Sequence, residues 1–530
     1  MKRRVLYKLL MTFAIAVSSC SKDFLSKNPS DAVSSGIYWQ TQDDAVRAVT
    51  YCYSYIGDFD NRIFLSCATD DSYSWSNWPS DIQYAGNGSA TATTGVFEHF
   101  WQVLYQAIAA SNNVLDNIGK IPSEQISDSL RSRLSAEARF IRAYSYQQLT
   151  GMYGAVPLIT HIQPTDSFDV SRTSADTISN FIVNELKDAA SNLPLSYGSA
   201  DYGHVTKGAA LALLAREELY VGNWTDAAAT AKQVMDLGQY SIDNSSDNAY
   251  NSLFDGTNKT SPEIILSAQY IKNTYPTGIA TWVGGPTVGG WSQVVPLQGL
   301  VDAYECTDGK PITESSLYDP NHPYDNRDPR LKFTVAVPGS VINGKIINVA
   351  DSNSIDALGK NNASLSGYYY KKYVPADISG DYNNNSYNDE VLIRYAEVLL
   401  TYAEAKIESN SIDQSVYDAI NLIRQRRGVN MPAVQPGLSQ SALRMLVRNE
   451  RHVELAMEGL RLFDIRRWKI GEQVMNGNAY GILNNYNKSR GDYGSHVLVE
   501  KRSFVARDYL WAIPQNQIDL SHKLTQNTGW

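Results

Sequence analysis

Residues 206–237 leave little choice of local structure. Their alanines fall in two blocks, Ala209, Ala210, Ala212 and Ala215, then Ala227, Ala228, Ala229 and Ala231, divided by Val221-Gly222-Asn223-Trp224. Alanine is the strongest helix former, and its small side chain lets two helices approach closely. The pattern predicts a helix to Tyr220, a turn, and a second helix over 226–235, packed as an antiparallel hairpin of tetratricopeptide type, a unit of about 34 residues. A second such hairpin is expected over 392–427, turning at 409–412. Apolar residues three and four apart predict further amphipathic helices over 101–115, 134–149 and 177–190.

The helical patterning occupies about 41–240 and 390–475. Between these blocks, 241–389 loses the helical period and gains Gly, Pro, Asn, Asp and Tyr, which predicts long loops with short strands. Within the C-terminal segment 476–530, residues 476–503 read as irregular. The fold class expected is therefore mainly α: a helical core with tetratricopeptide-like hairpins, plus loops and short strands forming a ligand-binding lobe. Loops carried on a rigid scaffold are where binding sites usually sit.

The N-terminus is expected to set the compartment. Lys2, Arg3, Arg4 and Lys8 flank or precede an apolar run over 9–17, and the small residues Ser18 and Ser19 lead to Cys20. This is the layout of a secretory signal peptide over 1–19, with an apolar run too short to span a bilayer. A cysteine directly after the small residues resembles a bacterial lipobox, so lipidation of Cys20 is expected, with a polar tether to about residue 40 and a single domain over 41–530. Acyl chains on one cysteine supply about 0.8 kcal/mol per buried methylene, enough together to hold a domain at a membrane. Cys52, Cys67 and Cys306 have no spacing suited to a disulfide framework or a zinc site.

A net charge of −9 repels nucleic acid, and the chain after residue 19 is more acidic still. The seven histidines form no HExxH or close pair, so no metal site is expected among them. Asp381, Asn383 and Asn385 match the first half of an EF-hand loop, but Ser386 stands at the turn glycine and Leu392 at the bidentate glutamate. The run 284–290, Gly-Gly-Pro-Thr-Val-Gly-Gly, lacks the Lys-Ser/Thr of a phosphate-binding loop and reads as a flexible loop. Glu454 and Glu458 stand one helical turn apart, a spacing open to acid/base work, yet Arg451 and Arg461 beside them favour structural ion pairs. No catalytic residue and no cofactor is expected.

Two aromatic clusters stand out. In the first, Asp71, Tyr73, Trp75, Asn77 and Trp78 alternate bulky and small polar residues without a helical period, followed by Tyr84; in the second, Tyr275, Trp282 and Trp291 surround the glycine-rich run. Sugars present flat C–H faces between hydroxyls, so exposed rings beside Asp and Asn suit carbohydrate. Candidate ligand-binding residues are Asp71, Tyr73, Trp75, Asn77, Trp78, Tyr84, Trp282 and Trp291.

Several segments resemble the SusD/RagB family of surface lipoproteins. RNERHVELAMEGLRLFDIRRWK (448–469), DEVLIRYAEVLLTYAEA (389–405) and the closing YLWAIPQNQIDLSHKLTQNTGW are similar to its most specific motifs, with Gln517 and Thr528 departing from the pattern. AEARFIRAYSYQQL, MYGAVPLIT, GHVTKGAALALLA, DGKPI and NRDPRL follow in family order, so the likeness spans nearly the whole chain. It implies a helical core docked on a TonB-dependent, SusC-like outer-membrane transporter, a glycan site built from variable loops including the one bearing Trp75 and Trp78, and no chemistry of its own. A peptide-binding uptake lipoprotein of the same family is the alternative, and a glycoside hydrolase the more distant one.

Overall fold

The computed structural model describes residues 38–77, 81–164, 169–375, 377 and 386–530. The signal segment, Cys20, most of the tether, Trp78, and the trio Asp381, Asn383 and Asn385 lie outside the described residues.

The principal elements of the first half are packed helices with short elements between them. They are α1 (Gln42–Tyr53), β1 (Ser72–Ser74), α2 (Gln83–Asn87), α3 (Gly95–Asn117), α4 (Asp128–Tyr153), α5 (Ala175–Asn192), α6 (Lys207–Tyr220) and α7 (Trp224–Asp236). Local chemistry fixes several starts. The side chains of Ser127, Ser174 and Thr206 each accept a hydrogen bond from a backbone N–H of the first turn, satisfying a donor that has no partner within the helix.

The alanine-rich hairpin forms as α6 and α7. Ala209, Ala210, Ala212, Ala215, Ala227 and Ala231 are buried, whereas Ala229 faces solvent. Eight alanines in the pairing face was thus an overcount: at 3.6 residues per turn, three consecutive alanines cannot all face one neighbour.

The second half alternates strands with helices: β2 (Ile264–Ala268), α8 (Ile279–Val283), β3 (Val294–Pro296), α9 (Gln298–Ala303), β4 (Glu390–Arg394), α10 (Tyr395–Glu408), α11 (Gln414–Arg424), α12 (Gln440–Glu454), α13 (Arg461–Arg467), β5 (Gly477–Leu483) and β6 (His496–Arg502). α10 packs against α7 on one side and α11 on the other, so the two hairpins stack. The mainly α class expected from the sequence is the class observed, and the strands are short two-stranded pairs.

Two local readings differ from the sequence expectation. Residues 390–394 are a strand, not the opening of the next helix; all five are buried and the strand pairs with β2, so burial on both faces hides the alternation that marks a strand. The stretch 477–502 is not irregular: β5 and β6 form an antiparallel hairpin whose register shifts twice, between His496, Leu498 and Glu500. Such bulges break the period of two that sequence patterning relies on.

The segments carrying the family resemblance form the charged centre of this core. Arg394 donates to Glu454 at 2.6 Å, to Glu263 at 2.8 Å and to Glu458 at 2.7 Å, while Arg330 reaches Glu450 at 2.5 Å and Glu454 at 2.9 Å. Arg426 adds Glu263 at 2.6 Å, and Lys372 adds Glu458 at 2.7 Å. Every one of these side chains is buried. Burial alone would raise the Glu454 carboxyl, yet Arg426, Arg394 and Arg330 hold it well below the usual carboxylate range. Glu454 and Glu458 are therefore occupied in holding the scaffold. Arg216 with Glu397, Arg467 with Glu404, and Arg451 with Asp464 do the same between other elements.

Candidate ligand-binding site

The geometry starts from the pairing of β1 with β3. The strands run antiparallel, with Ser72 opposite Pro296 and Ser74 opposite Val294, and Leu297 N–H donates to the Asp71 carbonyl at 2.8 Å. In an antiparallel pair the residue after one strand meets the residues before the other. Trp75 and Trp291, over two hundred positions apart, accordingly meet at one end of the ladder. The Trp75 indole Nε1 donates to the Trp291 carbonyl at 3.2 Å.

Trp75 is 39% exposed and Trp291 half-buried. Trp282 lies beneath them, 8% exposed, its ring edge-on to Trp291 at 5.5 Å and 6.2 Å from Phe64. Three tryptophans from clusters that are separate in the sequence thus come together, with Trp75 outermost. Trp282 is a support for the surface, which corrects its expected role as a contact; an indole is large enough to be buried on one side and still shape the other.

The glycine-rich run is a built support as well, where a flexible loop was expected. Trp291 N–H donates to the Thr281 carbonyl at 2.8 Å, Ser292 N–H to Gly284 at 2.9 Å and Gln293 N–H to Trp282 at 2.8 Å. A Cβ on Gly290 would stand 1.9 Å from the Gly284 carbonyl oxygen, so a glycine is required for the two backbone stretches to touch. These bonds fix the carbonyl that orients Trp75.

The remaining predicted residues divide by burial. Tyr73 is half-buried, and Asn77 and Tyr84 are exposed, Tyr84 lying on α2. Burial and, next, the charge of Glu500 on β6 raise the Tyr73 phenol. Ser72 and Ser74 point inward, Ser72 Oγ lying 2.5 Å from the Tyr370 hydroxyl.

Asp71 is fully buried, and His452 Nε2 lies 2.5 Å from its Oδ1. It anchors the loop from below and cannot meet a ligand at the surface, which corrects its expected role. Alternation would place Asp71 on the face of Tyr73 and Trp75, but Asp71 precedes the three-residue strand, where alternation no longer governs the side a residue faces.

Asp70, Asp71 and His452 are also the group with metal-ligand geometry among the described residues, their ligand atoms lying within 4.8 Å of one another. Arg461 donates to both Asp70 oxygens, at 2.9 and 2.6 Å. Against the burial that would raise it, Arg461 draws the Asp70 carboxyl down to about 2. A cation would have to displace that guanidinium, so the group serves as the joint between β1 and the charged core.

Tyr275 belongs to a different concavity of about 420 Å³, also lined by Tyr202, His204, Gln269 and Tyr270. Its ring, 56% exposed, stacks on Tyr270 at 5.6 Å and 13°. Glu137, hydrogen-bonded to His204 at 2.7 Å, raises the pKa of that imidazole. Tyr270 and Arg502 escaped the sequence reading. Arg502 reaches from β6 to the carbonyls of Thr69 and Ser72, holding β1 from the side, and a lone arginine carries no pattern that announces such a role.

Comparison with known proteins agrees with this architecture. A sequence profile described as the SusD family matches residues 239–530, more than half of the chain, and a second, described as starch-binding associating with outer membrane, matches 23–219. The chain belongs to the SusD family. A SusD-like protein of Formosa agariphila is 26% identical over 410 residues, 75% of this chain and 77% of that protein. One from Bacteroides ovatus is 24% identical over 514 residues, covering 88% and 83% respectively. Among solved structures, a SusD-like carbohydrate binding protein of Bacteroides fragilis superposes with a TM-score of 0.85 at 29% identity, over 92% of this chain and 100% of that one.

Proposed function

We propose that this chain binds oligosaccharide or polysaccharide at the bacterial outer-membrane surface, without cleaving it, and passes it to a TonB-dependent transporter of the SusC type. The observation that carries the reading is the exposed Trp75 ring, held by its hydrogen bond to the Trp291 carbonyl and backed by Trp282. A fixed aromatic face suits the C–H face of a sugar, and Asn77 and Tyr84 supply polar groups on nearby segments. The carbohydrate-binding relative from Bacteroides fragilis supports the ligand class, and the outer-membrane profile supports the location. Lipidation at Cys20 would provide the anchor; no helix among the described residues is long and apolar enough to cross a membrane.

A hydrolase needs two carboxylates free to act on one bond. Glu454 and Glu458, the one pair with suggestive spacing, are instead bound to Arg394 inside the core. Modest affinity is sufficient for capture, about −8 to −4 kcal/mol or micromolar to millimolar, because tethering beside a transporter raises the effective concentration. Electrophoresis of the purified chain through gels containing different polysaccharides tests the reading. Retardation by at least one polysaccharide, with no new reducing ends after prolonged incubation, is expected. Free migration through every gel, or release of reducing ends, would overturn it.

A further inference from the structure

We propose that the cleft beneath the C-terminal hairpin is a second glycan subsite, continuing the tryptophan surface and accepting neutral sugar residues. The inference rests on the glycan-binding reading and adds to it a place and a chemical class. The cleft holds about 460 Å³, within the range of small-ligand sites, and its walls carry Asp70, Gln298, Asp302, Asn478, Tyr480 and His496.

The cleft and the tryptophans share a strand. Trp75 directly follows the three-residue strand β1 and Asp70 lies two residues before it, so the two are no more than about 17 Å apart along the chain. Tyr73 sits between them in the chain, and Arg502, which holds the carbonyl of the adjacent Ser72, itself lines the cleft. A ligand spanning this distance is a short oligosaccharide, not a single sugar.

The wall groups are prearranged for hydroxyls. The Tyr368 hydroxyl donates to Gln298 Oε1 at 2.7 Å, and Gln298 Nε2 donates to Asp302 Oδ1 at 2.7 Å. Asn478 Nδ2 donates to the Tyr480 hydroxyl at 2.8 Å, which steadies a ring that is 40% exposed. His496 Nδ1 lies 2.8 Å from the Gly481 carbonyl, which can only accept, so Nδ1 carries the proton and Nε2 of the neutral ring is an acceptor. Ordered donors and acceptors beside one exposed ring are what a pyranose requires.

Charge selects the class. Arg502 is committed through all three nitrogens, to Glu500 at 2.7 Å, to the Thr69 carbonyl and to the Ser72 carbonyl at 2.6 Å. The carboxyls of Asp70 and Asp302 face the same space. A uronate or sulfate would meet the Asp302 carboxyl while the guanidinium groups beside it, Arg502 and the Arg461 bound to both Asp70 oxygens, are already paired, whereas a neutral sugar offers hydroxyls to Asp302.

The test uses the full chain and calorimetric titration with short and long oligosaccharides derived from starch, laminarin, mannan and arabinan, alongside oligogalacturonates. For the neutral series that binds, the long members are expected to bind about tenfold more tightly than the short ones. Tyr480→Ala with Asn478→Ala should remove that gain and leave short-chain affinity unchanged, which also shows that the variant is folded. Asn478→Ala alone should remove part of it. Absence of a length gain, its survival in the double variant, or an equal gain with oligogalacturonates would overturn the subsite while leaving glycan binding intact. Failure of every series to bind would overturn the glycan reading, and the subsite with it.

Discussion

Glu454→Ala is expected to unfold the protein or leave it barely folded at room temperature. The carboxylate is fully buried and receives Arg330, Arg394 and Arg426 together. Removing it takes one carboxylate from each of three buried guanidinium groups, leaving Arg330 to Glu450, Arg394 to Glu263 and Glu458, and Arg426 to Glu263, and breaking a buried pair from one side costs about 3–5 kcal/mol. Native domains hold only about 5–15 kcal/mol in total. Chemical denaturation checks this, and a loss below about 1 kcal/mol would contradict it.

Acid should act on the same groups. Arg426, Arg394 and Arg330 around Glu454, Arg330 and Arg424 around Glu450, Arg394 and Lys372 around Glu458, and Arg451 and Arg467 around Asp464 lower these carboxyls despite the opposing effect of burial. A folded-state pKa below the unfolded one means stability that is complete above the unfolded value, about 4, and lost as the pH falls through the folded one. Denaturation midpoints should therefore decline below about pH 4.

Trp75→Ala is expected to cost about 2 kcal/mol of glycan affinity, roughly thirtyfold, as aromatic anchors at binding surfaces commonly do. For a ligand held at micromolar to millimolar strength, that removes retention in an affinity gel. Stability should fall by no more than about 1 kcal/mol, because the ring is exposed and its single hydrogen bond is to a backbone carbonyl. Tyr275→Ala, in the separate tyrosine-lined concavity, should leave retention unchanged. Unaltered retention by Trp75→Ala would remove this surface from the site.

The helical frame was legible because its signals are local. Alanine blocks at 209–215 and 227–231 and apolar spacing over 101–115 are properties of a single helix, and each helix formed where its pattern lies. The strand at 390–394 was not, because a strand buried on both faces reads like the helix that follows it. The hairpin at 477–502 was hidden by its own bulges. In the site, residue types pointed to Trp75 and Trp291, but their meeting depends on pairing between β1 and β3, which neither segment specifies alone. The same composition placed Asp71 and Trp282 beside them, and only tertiary burial assigns these two to support.

A crystal structure of the chain with a retained oligosaccharide examines the central claim most directly. A sugar ring lying flat on the Trp75 indole, at carbon contacts of about 4 Å, with an intact glycosidic linkage, is the expected result. Ligand found solely among Tyr202, Tyr270 and Tyr275 with Trp75 bare, or a cleaved product, would contradict it.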